Sequence, residues 1–301
     1  MGSRVNISSR MMSGAVANML LATFAFAVMN VFVKQLDRIP AMEIVLFRCL
    51  VSATICGVGI ARAGVDWKGN NHALLIARGT FGTLALFAFF LTIQNMPLAT
   101  AVTIQYLSPI FTALIGVFLL GEHVRAQQWF FYALAFGGVF MIKGFDARVS
   151  TVYLLTGIAS AICSGVAYNL VRRLREREHP LVVVLHFQLV GVIAGFVFSL
   201  FNWRNPTPWE WVSLFMCGVL TQLGQVCLTK SLQAEAVAKV SILNYIGLIY
   251  ALAFSVLIFG ERYAGQTILG IALVVLGVVL SVIFSGRKRP AALADAAVNA
   301  A

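Results

Sequence analysis

Long apolar runs, each about as long as a bilayer is thick, recur from one end of this chain to the other, and nothing else in it restricts the fold so strongly. Hydrocarbon offers a peptide group no hydrogen-bond partner, so a crossing segment satisfies its backbone internally, which takes about 20 mostly apolar residues as helix. That ruler gives ten spans, at residues 14–33, 41–61, 73–94, 98–120, 128–143, 152–171, 181–201, 211–230, 236–259 and 266–285. Composition agrees: 60% of residues are hydrophobic and 11% charged, where soluble domains carry about a quarter. The polar stretches between runs are too short for a separate soluble domain, so one all-α integral membrane domain fills the 301 residues.

The chain is also duplicated. QYLSPIFTALIGVFLLGE, from Gln105 to Glu122, returns as NYIGLIYALAFSVLIFGE, from Asn244 to Glu261. The offset is 139 residues, and it also lays Ala99 on Ala238, Gln127 on Gln266, Gly138 on Gly277 and Asn30 on Asn169. Each copy holds five spans, and because five is odd the second copy crosses in the opposite sense to the first. The expectation is two inverted five-helix repeats, at residues 14–145 and 151–286, between tails at 1–13 and 287–301. Such repeats enclose a substrate site near the midplane and rock about it. Lys and Arg set the orientation. With the N-terminus inside, inner segments carry thirteen of them and outer segments six, which places both termini in the cytoplasm. The first run lacks a cleavage site and reads as a retained span.

Polar residues inside apolar runs are candidates for function, because they are costly there. The fourth span carries Gln105, Tyr106, Pro109 and Thr112, and the ninth carries Asn244, Tyr245, Leu248 and Ala251 at the mirrored places. Pro109 removes a backbone donor mid-helix. These positions suit either the walls of a central cavity or helix-to-helix bonding with a packing kink. Gln222, Gln225 and Thr229 form a stripe at i, i+3 and i+7 on the eighth span. Arg48 stands about 10 Å into the second helix at 1.5 Å per residue, too deep for easy snorkelling, and so reads as a contact to an anionic substrate group or an organiser of the bundle. Allowing one residue of slip at Pro40 against Pro180, Gln188 takes its place in the second copy. The expected substrate-binding set is therefore Arg48, Gln105, Tyr106, Pro109, Gln188, Gln222, Gln225, Asn244 and Tyr245.

The remaining polar residues read as structural. Arg78 and Lys239 lie near cytoplasmic helix ends, where snorkelling accounts for them. Glu43, Glu122 and Glu261 read as dipole or capping residues, and His186 as a satisfied core histidine. Asn30 and Asn169 read equally as local caps or substrate contacts. The five cysteines lie in apolar runs without a CxxC pair and read as small core residues. No metal or cofactor is expected.

Ten spans in two repeats, the Asn30–Lys34 ending of the first helix, EIVLFR from Glu43 to Arg48, Pro109 in mid-span, and Gly-Glu at 121–122 and 260–261 together resemble the EamA-type branch of the drug/metabolite transporter superfamily over residues 14–286. The resemblance implies a multi-pass secondary carrier of the bacterial inner membrane. Its substrate would be a small metabolite such as an amino acid, nucleoside or cofactor, bound in a central cavity. EIVLFR looks most like S-adenosylmethionine uptake carriers, while export of amino acids or toxic metabolites is the alternative. Leu248 departs from the pattern, since many relatives keep a proline there, and the two halves are expected to hinge differently. The lipid bilayer and a small-molecule substrate are the implied partners, with no nucleic acid, and the carrier is a monomer or homodimer. An enzyme would need a catalytic cluster and a channel a charged ring, and neither is legible. A Walker A sequence is also absent.

Overall fold

The computed structural model describes residues 2–120, 124, 126–174, 177–234 and 243–285, with side chains from residue 14 onward. Eleven helices are described: α1 Gly2–Gln35, α2 Ala41–Ala63, α3 His72–Asn95, α4 Leu98–Gln105, α5 Ser108–Leu120, α6 Ala126–Phe145, α7 Thr151–Leu174, α8 Pro180–Asn202, α9 Pro208–Ala234, α10 Ile246–Leu257 and α11 Gly265–Ser285. Proline starts several of them: Pro40 and Pro97 cap α2 and α4, and Pro180 and Pro208 open α8 and α9. The ring fixes φ in the helical range, and the missing N–H is one that a first turn leaves unbonded in any case. Asn71 caps α3 by accepting from the Leu74 N–H at 3.1 Å, and α2 ends on Gly64 at φ 63°, the left-handed region that glycine enters without a Cβ clash.

Eight helical stretches are long and apolar enough to cross a membrane, among them Leu98–Phe118, which joins α4 to α5. The protein is a multi-pass membrane protein. Of the other two expected spans, the fifth is the 20-residue α6 and the ninth is described as the 12-residue α10. Phe118, Phe140, Phe201 and Leu257 are more than three-quarters exposed and form the lipid face. All five tryptophans, Trp67, Trp129, Trp203, Trp209 and Trp211, lie at or just beyond helix ends and are exposed. That is where an amphipathic ring belongs at a membrane–water boundary.

The core arises from pairwise packing of α1 on α9, α3 on α7, α2 on α8 and α6 on α11, with α5 also against α7 and α10 against α1. Glycines set the closest approaches. A Cβ on Gly138 would lie 2.5 Å from the Gly270 carbonyl oxygen, and one on Gly277 would lie 2.5 Å from that of Phe131, so α6 and α11 touch backbone to backbone. A Cβ on Gly79 would meet Val190 at 2.6 Å, and one on Gly218 would meet Val51 at 2.4 Å. Small residues permit such contacts in lipid, where packing and hydrogen bonds replace the hydrophobic drive for helix association.

At the end of the bundle where α1, α3 and α10 finish, ion pairs cross-link the helices. Lys34 Nζ lies 3.0 Å from Glu261 and Arg38 lies 3.8 Å from Glu210, while Arg148 pairs locally with Asp146 at 2.7 Å and donates to the Arg262 carbonyl at 2.7 Å. Glu43, fully buried, accepts from the Arg204 N–H at 3.1 Å and so ties α2 to the segment between α8 and α9. Its role is a tertiary tie as well as a first-turn carboxylate.

Candidate functional site: a central cavity between broken helices

The long run from Leu98 to Leu120 does not form one helix. Pro109 has no N–H to give to the Gln105 carbonyl, and the chain responds with a tight turn in which Leu107 N–H reaches Ile104 O at 3.0 Å. α4 ends at Gln105 and α5 begins at Ser108. Asn244 and Tyr245 form a turn immediately before α10, with Gly247 N–H on Asn244 O at 3.1 Å and Leu248 N–H on Tyr245 O at 3.0 Å. This turn forms without a proline, and residues 235–242 before it lie outside the described residues. Glycine takes part: a Cβ on Gly247 would lie 2.7 Å from the Tyr106 hydroxyl. That hydroxyl crosses between halves and donates to the Asn244 carbonyl at 2.9 Å, and the Tyr106 and Tyr245 rings meet at 5.0 Å between centroids.

Between the two breaks lies a cavity of about 450 Å³, within the range of small-molecule sites. Arg48, Gln105, Tyr106, Pro109, Gln225, Asn244 and Tyr245 line it, together with Thr23, Asn30, Phe89, Ser108 and Tyr168. The Gln105 amide is fixed on α7, donating to Ser164 Oγ at 2.9 Å and accepting from Ser160 Oγ at 2.8 Å. Arg48 is 4% exposed. Its Nε donates to Thr221 Oγ1 at 2.9 Å, and the Phe90 and Phe187 rings stand 5.9 and 5.8 Å from its guanidinium carbon.

The cavity is off-centre. Its lining runs from Leu228 and Val282, near the end of the bundle where α1 begins, past mid-span to Asn30, Arg48, Phe89 and Val102. The other end is shut by Glu261. Gly260 at φ 60° lets the chain reverse after α10, and Glu261 N–H bonds Ser255 O at 3.0 Å. The carboxylate then reaches across to the first half. It pairs with Lys34, accepts from the Leu98 N–H at 3.0 Å and from the Tyr263 hydroxyl at 2.9 Å, and takes a short bond from Ser255 Oγ. Lys34 in turn donates to the Met96 carbonyl at 2.6 Å. Burial alone would raise the Glu261 pKa, but the Ser255 and Lys34 bonds, the Lys34 charge and the Leu98 N–H hold it below the usual carboxylate range. Burial pushes the Tyr263 hydroxyl up. Glu261 is thus a clasp between halves, where a local dipole role was expected. Its mirror, Gly121-Glu122, lies outside the described residues.

A family model for the EamA-like transporter family matches residues 13–144 and again residues 151–283. The chain belongs to the EamA-like transporter family. The pseudopaline exporter CntI of Pseudomonas aeruginosa is 31% identical, over 86% of this chain and 93% of its own. An S-adenosylmethionine uptake transporter of Rickettsia prowazekii is 23% identical, over 89% and 92%. A protein of known crystal structure, 18% identical, shares the fold with a TM-score of 0.65 over 91% of this chain and 98% of that one. This EamA-like chain is accordingly a small-metabolite transporter and no enzyme.

Within this EamA-like transporter the structure departs from the sequence reading at several residues. Gln188 and Gln222 lie outside the described lining of the cavity. Gln188 is fully buried with neither amide atom hydrogen-bonded, and Gln222 Oε1 is buried without a partner. The one-residue slip is the reason for the first error. Val51 meets Gly218 as Val190 meets Gly79, both related by 139 residues, so no slip is needed and Arg48 corresponds to Phe187. Phe187 packs on Gly82 as Arg48 bonds Thr221, again 139 apart. Thr112 bonds its own helix at Ser108 O, and Leu248 and Ala251 are core, so the expected faces reach the cavity only through Gln105, Pro109 and Asn244. The Thr229 side chain and Lys239 lie outside the described residues. His186 bonds the Val182 carbonyl of its own helix at 2.9 Å.

Arg78 does not snorkel. A Cβ on Gly82 would lie 2.2 Å from its Nη1, so the guanidinium runs one turn further into α3, with its carbon 4.2 Å from the Phe187 ring centre. Tyr168 was missed as a lining residue, and the repeat itself held the signal. Tyr168 stands 139 residues after Met29, and both line the cavity. Asn30 lines it while Asn169 is tied to Thr112 O and Gly165 O, each at 2.9 Å.

Proposed function

We propose that this chain is a secondary carrier moving a small organic metabolite across the bacterial inner membrane by alternating access, with both termini cytoplasmic. The observation that carries the reading is the cavity itself. It sits where broken helices of the two halves meet, and the end opposite to it is closed by Lys34 and Glu261. With the termini inside, as the charge bias favours, this is an inward-facing state whose periplasmic side is clasped.

Ten spans in two inverted repeats are the architecture behind it, and three observations support that. Exchanging the halves turns α1 on α9 into α7 on α3 and leaves α2 on α8 and α6 on α11 unchanged. The Gly138 contact with Gly270 becomes the Gly277 contact with Phe131 under the same 139-residue shift. The family model matches twice, on either side of residues 145–150. In this reading Tyr106 and Tyr245 clamp the body of the solute, Gln105, Gln225 and Asn244 supply amides, Pro109 maintains the break, and Arg48 supplies charge. Gln188 and Gln222 serve packing behind this wall. Export is favoured over uptake by the higher identity to the pseudopaline exporter.

A melting screen of the purified protein across amino acids, nucleosides and cofactors tests this, since a ligand of the folded form raises the transition by mass action. The expected ligand raises the melting temperature of the parent but not of Tyr106→Ala or Tyr245→Ala, and undergoes counterflow in proteoliposomes. A ligand whose shift and counterflow survive both substitutions contradicts the site.

A further inference from the structure

Two arginines inside the bundle, the buried Arg48 and the half-buried Arg78, stand near one phenylalanine ring with no carboxylate partner among the described residues. Arg48 is the one charged side chain among the described residues lining the cavity. Its partners are neutral: Thr221 Oγ1 at 2.9 Å and Cys49 Sγ at 3.7 Å. Arg78 stands against the other side of the same Phe187 neighbourhood, and its Nε and Nη1 are buried without a hydrogen-bond partner. None of the ion pairs among the described residues involves either one. Among the described residues the buried carboxylates are held at helix ends, Glu43 by the Arg204 N–H, Asp146 by Arg148, Glu178 by the Asn70 and Asn71 N–H groups and Glu210 by the Thr207 N–H, and the half-buried Glu261 is held by Lys34. A buried charge is expensive unless paired, so the one cation in the described lining of the cavity is suited to an anion that arrives with the ligand.

We infer that the transported solute is an organic anion whose carboxylate binds Arg48 inside the cavity. This rests on the cavity being the transport site. The Nε of Arg48 is taken by Thr221 and Nη1 makes a long contact to Cys49 Sγ, which leaves Nη2 and the second Nη1 hydrogen for the ligand. One lining charge matches one carboxylate, whereas a phosphate dianion gathers several strong donors. Arg78, outside the described lining and 4.2 Å from the Phe187 ring centre, is a positioning residue that adds to the positive field. A cationic solute would meet Arg48 and no carboxylate in the described lining.

The field can be read without knowing the solute. Gln225 lines the cavity one helical turn from Thr221, the residue that Arg48 holds. In the full-length protein with its five cysteines replaced by alanine, Gln225→Cys is reacted with sulfonatoethyl and with trimethylammonioethyl methanethiosulfonate, each rate normalised to a free thiol in solution. The anionic reagent is expected to be favoured about tenfold or more, as in clefts that focus a field of one sign. Arg48→Gln should bring the ratio to about one, Arg48→Lys should keep most of it, and Arg78→Gln should reduce it about two- to threefold. Reaction with both reagents at a ratio near one in the parent, or an unchanged ratio in Arg48→Gln, overturns the anion inference and leaves the cavity standing. Protection from both reagents overturns the cavity and this inference together.

Discussion

Tyr106 shows how much a single side chain can carry here. Its hydroxyl bonds the carbonyl that ends the second helix break, its ring meets the mirrored Tyr245, and Gly247 leaves the space for it. A methyl group at Gly247 has nowhere to go. Gly247→Ala is expected to destabilise the protein by about 1–3 kcal/mol, the usual cost of overpacking, and Tyr106→Phe by about 1 kcal/mol, that of one hydrogen bond. Because both act on one contact, adding Tyr106→Phe to Gly247→Ala should recover part of the loss, and the four melting temperatures of the cycle check it. Full additivity would separate Gly247 from the tyrosine. At this scale the sequence was informative where polarity and position coincide, as for Arg48, Gln105 and Asn244. It misled at Gln188, whose place was assigned from a proline that starts a helix, although the glycine and valine contacts keep the unshifted register.

Among the helices, boundaries were legible because proline, asparagine and glycine mark them, and the break in the fourth span was legible from Pro109. The turn before α10 was not, since no proline marks it and the Tyr106 bond to the Asn244 carbonyl joins residues 138 apart. The crossing of α6 and α11 is the strongest test at this level. Gly138 and Gly277 make the same backbone contact from opposite sides, so Gly138→Leu and Gly277→Leu should be about equally damaging. A loss of about 3 kcal/mol or more is expected for each, the upper range for overpacking. Gly59→Leu, on α2 with nothing within 4 Å of its Cβ position, should change little. Melting curves and monodispersity in detergent check all three, and tolerance of either crossing substitution would contradict the crossing.

Across the whole molecule the closed end is held by groups whose ionisation is robust. Glu261 has its pKa held down by Ser255, Lys34 and Leu98 against burial. The sign follows: stability from a lowered carboxylate pKa is complete above its unfolded value, about 4.3, and is lost only as pH falls through the lower folded value. Protonation of Glu261 is therefore not expected to release the clasp near neutral pH. That the chain is an all-helical membrane protein was readable from apolar run length, and the twofold family match from one offset, but the clasp was not, because its partners Lys34, Leu98 and Glu261 are distant in sequence. Side-specific labelling tests the central claim most directly. Asn244→Cys, on the cysteine-free background, is exposed to a membrane-impermeant thiol reagent in inside-out and right-side-out vesicles. The expected result is labelling mainly from the cytoplasmic side, with Glu261→Gln raising labelling from the periplasmic side. Labelling from the periplasm alone with Glu261 intact, or a pattern that Glu261→Gln leaves unchanged, would contradict a cavity closed outside by the clasp.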